Sequence, residues 1–241
     1  MAKVSLQTTN FTRPSGVSNG STVLDVTGRD IWQAAAEVGA TSSIFNSPKR
    51  TQLEIAWRTS MALAHLEAAD GGWVQNRSYK RLDPSEKSGI SYYLGMVLPA
   101  IIAKKELNIP HLVHVDSVLQ ILGKKKRNVQ RPDLVGYRWG SNGNSRGRLL
   151  LEAKGRTNGF VQAPLDKAMD QLKNAPPEVL QLVGGSALRI ASLSYFEKSG
   201  VKSNKAVWQA FMTDPPSEPV RSRYRDNEYQ ALVDTSYCWP F

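Results

Sequence analysis

Three charged residues offer the clearest chemistry in this sequence. Asp133 follows Pro132, and Glu152 and Lys154 flank Ala153 directly after the apolar run Leu149-Leu150-Leu151. Residues two apart on a strand project from one face, so Glu152 and Lys154 share a face while Leu149, Leu151 and Ala153 point the other way into a core. Two carboxylates at short range repel each other unless a cation lies between them. Hard oxygen donors with little other ligand chemistry suit Mg²⁺, with Mn²⁺ as a substitute. Such an ion lowers the pKa of a bound water and neutralises charge on a scissile phosphate, while a nearby ammonium steers the water or stabilises the transition state.

For these groups to meet, Asp133 must open one strand and the Glu152–Lys154 pair must close its antiparallel neighbour. The sequence predicts strands over 132–139 and 148–154, joined by the flexible loop from Gly140 to Gly147. Upstream, Asp83-Pro84-Ser85-Glu86 reads as a capped helix start, and Ile90, Leu94, Val97 and Ile101 as its buried stripe. Pro99 is expected to kink or split this helix, which ends by Asn108 and Pro110. A strand is predicted over 111–119. Downstream, Leu165, Met169 and Leu172 carry helical spacing as far as Pro176-Pro177, and 188–196 and 206–212 read as strands.

Pro132-Asp133 followed by Glu152-Ala153-Lys154 resembles the signature of the PD-(D/E)XK nuclease superfamily. The order helix, three strands, helix, strand over residues 84–196 is similar to that superfamily's αβββαβ core. The resemblance implies an α/β restriction-endonuclease-like fold, a mixed sheet flanked by helices. It implies Mg²⁺-dependent DNA hydrolysis, with Asp133 and Glu152 holding metal, Lys154 acting on the attacking water, and a 5′-phosphate and a 3′-hydroxyl as products. The first core helix of relatives often supplies a further acidic ligand, for which Glu86 is the candidate; its place in a capping box is the simpler account. Lys167 and Gln171, at i and i+4 on the second helix, stand where relatives place polar groups facing substrate, or else are solvated surface. By analogy alone the resemblance leans toward a restriction or antiviral-defence endonuclease, a homodimer if it cuts both strands of a duplex.

The balance of 31 Lys and Arg against 21 Asp and Glu gives a formal charge of +10, which favours a polyanionic partner, double-stranded DNA first. Candidate phosphate contacts are Lys124, Lys125, Lys126, Arg127, Arg146, Arg148 and Arg156, with a further basic stretch at Arg221, Arg223 and Arg225 around Tyr224. A lone cysteine, Cys238, excludes an internal disulfide and a thiolate metal cage. His111 and His114 fall on opposite faces of the expected strand, which argues against a shared metal. Asp116 is open between a metal ligand and a polar strand end. No P-loop lysine follows a Gly-rich stretch, and Gly185-Ser186 lacks the surroundings of a nucleophile elbow. With no apolar run long enough to span a bilayer and no leader-like start, a cytoplasmic location is expected.

Residues 1–28, rich in Ser, Thr, Asn and Gly, read as a loosely packed arm. A helix is predicted over 48–70, with Ser47 as N-cap, Leu53, Trp57, Met61 and Ala64 as its apolar stripe, and Gly71-Gly72 as its end. The expected organisation is an N-terminal extension with helical content (1–46), a nuclease domain (47–214) and a basic aromatic tail (215–241) whose end folds in as a strand. The rival readings are a non-catalytic nucleic-acid-binding module of the same fold, or a subunit of a larger complex docked through residues 237–241.

Overall fold

The structure is a computed structural model that describes residues 2–12, 17–40, 48–124, 129–139, 145–185, 187–198, 205–216 and 221–237. Lys125, Lys126, Arg127, Ser47, Ser186, Cys238 and the segments 140–144 and 238–241 lie outside the described residues, as do the side chains of residues 48–50, 139, 145 and 146, Arg146 among them.

The sheet begins where the arm was expected. Strand β1 (Ala2–Thr9) buries Ala2, Val4, Leu6 and Thr8 and exposes the residues between them, the period-two pattern of a half-covered strand. It pairs antiparallel with β2 (Gly20–Val26), and parallel with β9 (Ala206–Thr213) from the far end of the chain. Small residues disguise this alternation, and the loosely packed reading of residues 1–28 is corrected. Helix α1 (Gly28–Glu37) follows, started by a capping box between Thr27 and Asp30.

Helix α2 (Pro48–Leu63) is shorter than expected. Gly71 and Gly72, at positive φ, turn the hairpin of β3 (Leu66–Ala69) and β4 (Gly72–Gln75) instead of ending a helix. The expected apolar stripe of α2 faces outward in part, with Leu53 and Trp57 63% and 55% exposed. After the short α3 (Arg77–Arg81), α4 (Pro84–Glu106) runs unbroken through Pro99. Its middle is buried from Tyr93 to Pro99, and that packing offsets the missing amide.

The expected strand over 111–119 is only β5 (Leu112–His114); the chain turns at once into α5 (Val115–Ile121). Val115, Val118 and Leu119 are spaced for a helix and all buried, so the local pattern was helical from Val115 onward. The antiparallel hairpin of β6 (Leu134–Trp139) and β7 (Ser145–Gly155) matches expectation. A crossover through α6 (Gln162–Lys173) and α7 (Pro177–Val183) leads to β8 (Leu188–Lys198), parallel to β7 and antiparallel to β9. The tail forms a helix, α8 (Asp226–Ser236), with Tyr229 and Val233 buried.

The result is an open, mixed α/β sheet in the order β2-β1-β9-β8-β7-β6-β5, with β4 joined to β9. One core joins Leu149, Leu151 and Ala153 to α1 and α4; the other joins Leu150, Val135 and Leu193 to α5, α6, α7 and α8. Two facing cores place β7 in the middle of the molecule. No helix among the described residues is long and apolar enough to cross a membrane.

Candidate active site

The β6–β7 hairpin brings the three expected residues together. Leu134 pairs with Leu151, so Asp133 and Glu152 stand one step further along, on the face opposite Leu151 and Ala153. The Asp133 amide donates to Glu152 Oε2 at 3.1 Å, and the Ala153 amide donates to Asp133 Oδ2 at 2.9 Å. Each carboxylate is therefore tied to the backbone that carries the other. Lys154 donates to Glu152 Oε1 and, at 2.7 Å, to Gln171 Oε1 on α6. Gln171, for which the sequence left a substrate-facing and a solvated reading open, thus contacts Lys154, whereas Lys167 is exposed and makes no contact with these groups among the described residues.

The electrostatics follow from burial. Glu152 is only 1% exposed. Desolvation, then the adjacent Asp133 carboxylate, push its carboxyl up to about 7 against the pull of Lys154. Desolvation raises Asp133 as well, opposed by the Ala153 amide and the Lys154 charge. Two acids that resist ionising together are eased by added positive charge between them, which a divalent cation supplies. No cluster of three His, Cys, Asp or Glu side chains forms among the described residues, so these two carboxylates are the acidic donors here. That set fits Mg²⁺, which keeps several waters and accepts one or two carboxylates beside a phosphate.

The elements around the hairpin fix this geometry. Gly95 of α4 meets Gly155 at the end of β7, where a Cβ on Gly95 would lie 2.7 Å from the Gly155 nitrogen, and a Cβ on Gly155 would run into the Ser91 carbonyl. Backbone therefore lies directly on backbone, and this sets how closely the helix approaches the site. On the other side, Arg131 bonds Asp116 at 2.7 Å and lies 3.7 Å from Glu178, which anchors the chain entering Pro132-Asp133. Asp116 therefore serves an ion pair rather than the carboxylate pair.

Beside the carboxylates an open groove of about 520 Å³ runs between the first turns of α4 and the chain leaving β7. Lys87, Ser88, Tyr92, Lys154 and Arg156 line it. Sequence reasoning missed Tyr92 and Ser88, although they sit four apart on the side of α4 away from the Ile90–Leu94 stripe, a spacing that marks a polar helical face. Tyr92 is 51% exposed; burial, then the charges of Asp133 and Glu152, raise its hydroxyl above the ordinary tyrosine value. His114 was also missed. Its Nδ1 lies 3.3 Å from the Asp133 carbonyl oxygen.

Other expected site residues lie elsewhere. Glu86 stays in its capping box, accepting from the Asp83 amide at 3.1 Å, with its charge felt by His65 rather than by the carboxylate pair. Arg148 is no phosphate contact. It is 6% exposed, donates to the Leu182 carbonyl, Ser222, Tyr224 and Asp226, and lies 4.6 Å over the Tyr229 ring. The even-numbered face of β7 is covered at that end by α7 and α8, so the guanidinium points inward. Lys124 is exposed, and Arg156 borders the groove while its Nε donates to the Gly159 carbonyl at 3.3 Å. Comparison with family models, with curated proteins and with solved structures finds no match to this chain.

Proposed function

We propose that the chain is a metal-dependent endonuclease that hydrolyses phosphodiester bonds in DNA, with a restriction-endonuclease-like core and Asp133, Glu152 and Lys154 at its centre. The observation that carries this reading is the convergence of a buried acid, a partly buried acid and an amine at the open end of one hairpin, beside a cationic groove. The order α4, β5, β6, β7, α6, β8 supports the αβββαβ assignment, with α5 and α7 as insertions.

Asp133 and Glu152 would hold a Mg²⁺ ion. When bound, that ion would polarise a water and offset charge on the phosphate. The Ala153 amide orients Asp133 and the Asp133 amide orients Glu152, so both acids are fixed before substrate arrives. Lys154, held between Glu152 and Gln171, presents an ammonium to the attacking water and to the negative charge that builds on the phosphate oxygens. Water adds to phosphorus, the phosphorus–oxygen bond to the 3′-oxygen breaks, and that oxygen leaves with a proton. The groove beside Lys154 receives the backbone on one side of the scissile bond. The charge balance and this site together favour a nuclease over an inert binding module; the restriction or phage-defence role rests on analogy alone.

The test is incubation of the protein with supercoiled plasmid, linear duplex, single-stranded DNA and RNA, in Mg²⁺, Mn²⁺ or chelator, beside Asp133→Asn and Lys154→Ala. Metal-dependent DNA cleavage that both variants lose while still binding DNA is expected. Equal cutting by all three proteins overturns the site assignment, and binding without cutting by wild type favours the non-catalytic module.

A further inference from the structure

The groove beside the carboxylates has features that a duplex-binding cleft does not need. The side chains along it include, among the described residues, three cations, Lys87, Lys154 and Arg156, and no acidic group. Among the described residues neither Lys87 nor Arg156 forms an ion pair; Lys87 Nζ instead donates to the Lys80 carbonyl at 3.2 Å. A row of cations without acids matches the spaced phosphates of one nucleic-acid backbone. Its volume, about 520 Å³, is on the roughly 300–1,000 Å³ scale of small-ligand sites and has room for a nucleotide.

Tyr92 supplies the second observation. It lines the same groove, half-exposed, and both carboxylates act on its hydroxyl. Stacked inside a duplex, a base offers no free face to such a ring; an unpaired base offers one, whatever its sequence.

We infer that this groove binds a single-stranded segment of DNA, with Tyr92 as the stacking platform for an unpaired base and Lys87 and Arg156 on its phosphates, so that the preferred substrate has a free strand next to the bond cut. The inference rests on the nuclease reading for its catalytic meaning, while the binding it specifies can be measured without cleavage. Ser88, four residues before Tyr92 on the same wall, adds a hydroxyl within the groove.

The test uses the full chain in chelator, with fluorescence anisotropy on a labelled single strand, a blunt duplex and a duplex carrying a single-stranded overhang. Wild type should bind the single strand and the overhang about tenfold or more tighter than the blunt duplex. Tyr92→Ala should weaken single-strand binding about tenfold, the effect of removing one base-stacking ring. Tyr92→Phe should stay within about twofold, because the ring remains. Lys87→Ala should lower the slope of log affinity against log salt by roughly 0.7, the value for one phosphate of a single strand. Equal affinity for blunt duplex and single strand, or single-strand binding unaffected by Tyr92→Ala, overturns the inference. The two readings fail separately: a single-strand preference in a protein that never cuts would leave this groove assignment standing and remove the nuclease, and efficient cutting of blunt duplex without that preference would do the reverse.

Discussion

Asp133 and Glu152 position each other through the main chain, the amide of the first bonded to the side chain of the second at 3.1 Å, and the amide after Glu152 bonded to the side chain of Asp133 at 2.9 Å. Structure and chemistry are joined in that exchange, so substitutions there separate the two. Asp133→Ala strips the buried Ala153 amide of its acceptor and should cost roughly 1–3 kcal/mol of stability. Asp133→Asn keeps an acceptor and should melt close to wild type. Cleavage should fall at least about a hundredfold in both. Thermal melts beside plasmid cleavage check this, and a fully active Asn variant would remove Asp133 from the site.

Gln171 is a positioning residue for the Lys154 amine. Gln171→Ala should lower kcat about 10- to 100-fold, as removal of a supporting hydrogen bond does, with KM unchanged. Gln171→Glu retains the acceptor and should recover part of the rate. A change in KM alone would show that Gln171 touches substrate instead.

Without a divalent ion the fold should weaken as pH rises. Glu152 ionises near 7 when folded and near 4.5 as an ordinary glutamate, so the folded state binds the proton more tightly. Stability is then greatest below the unfolded value and is lost as pH climbs through the folded one, by about 3 kcal/mol in all. Asp133 is raised too and acts in the same sense. Melting temperature in chelator should fall from about pH 5 to about pH 8, and Mg²⁺ should restore it mainly at the upper end. Glu152→Gln should flatten most of this slope, leaving a background from Asp133 and from Asp214, which burial raises to about 6. Parallel curves for wild type and Glu152→Gln would contradict the electrostatics.

Arg148→Ala should destabilise the fold by about 3 kcal/mol, since a buried guanidinium with several acceptors leaves them all unpaired. DNA affinity of the folded variant should be unchanged. Weaker binding at equal stability would return Arg148 to the phosphate contacts.

Gly155→Ala places a methyl against the Ser91 carbonyl and should cost about 1–3 kcal/mol by forcing α4 away from β7. The same displacement moves Tyr92 relative to the carboxylates, so kcat should fall along with the melting temperature. Gly89→Ala, with open space around its Cβ, is the control and should not destabilise.

The hairpin and its charged face were legible because the end of β7 alternates after its apolar run, with Leu151 and Ala153 on one face and Glu152 and Lys154 on the other. Gln171 was offered only by the family resemblance, and helical spacing did not separate it from Lys167 or from solvated surface. What stayed hidden has physical reasons. The alternation of β1 is written in Ala2, Val4 and Thr8, residues that small loops also use, and its partner β9 lies about two hundred positions away. A single residue moved the reading at β5, because Val115 begins a helix with the same residue types that end a strand. Arg148 carries no local mark of burial; the helices that cover it come from residues 177–183 and 226–236. Exposure of Trp57 and Leu53 on α2 likewise depends on which side of the helix its neighbours occupy.

The parallel pairing of β1 with β9 has a consequence for how the chain is made. Residues 2–9 are made about two hundred residues before their parallel neighbour, residues 206–213. The β1–β2 hairpin must therefore wait through synthesis of all the residues between with one edge uncovered, and closure of so long a loop sets a slow stage of assembly. Until that edge is zipped, the nascent chain is a target for chaperones and for mispairing with other chains.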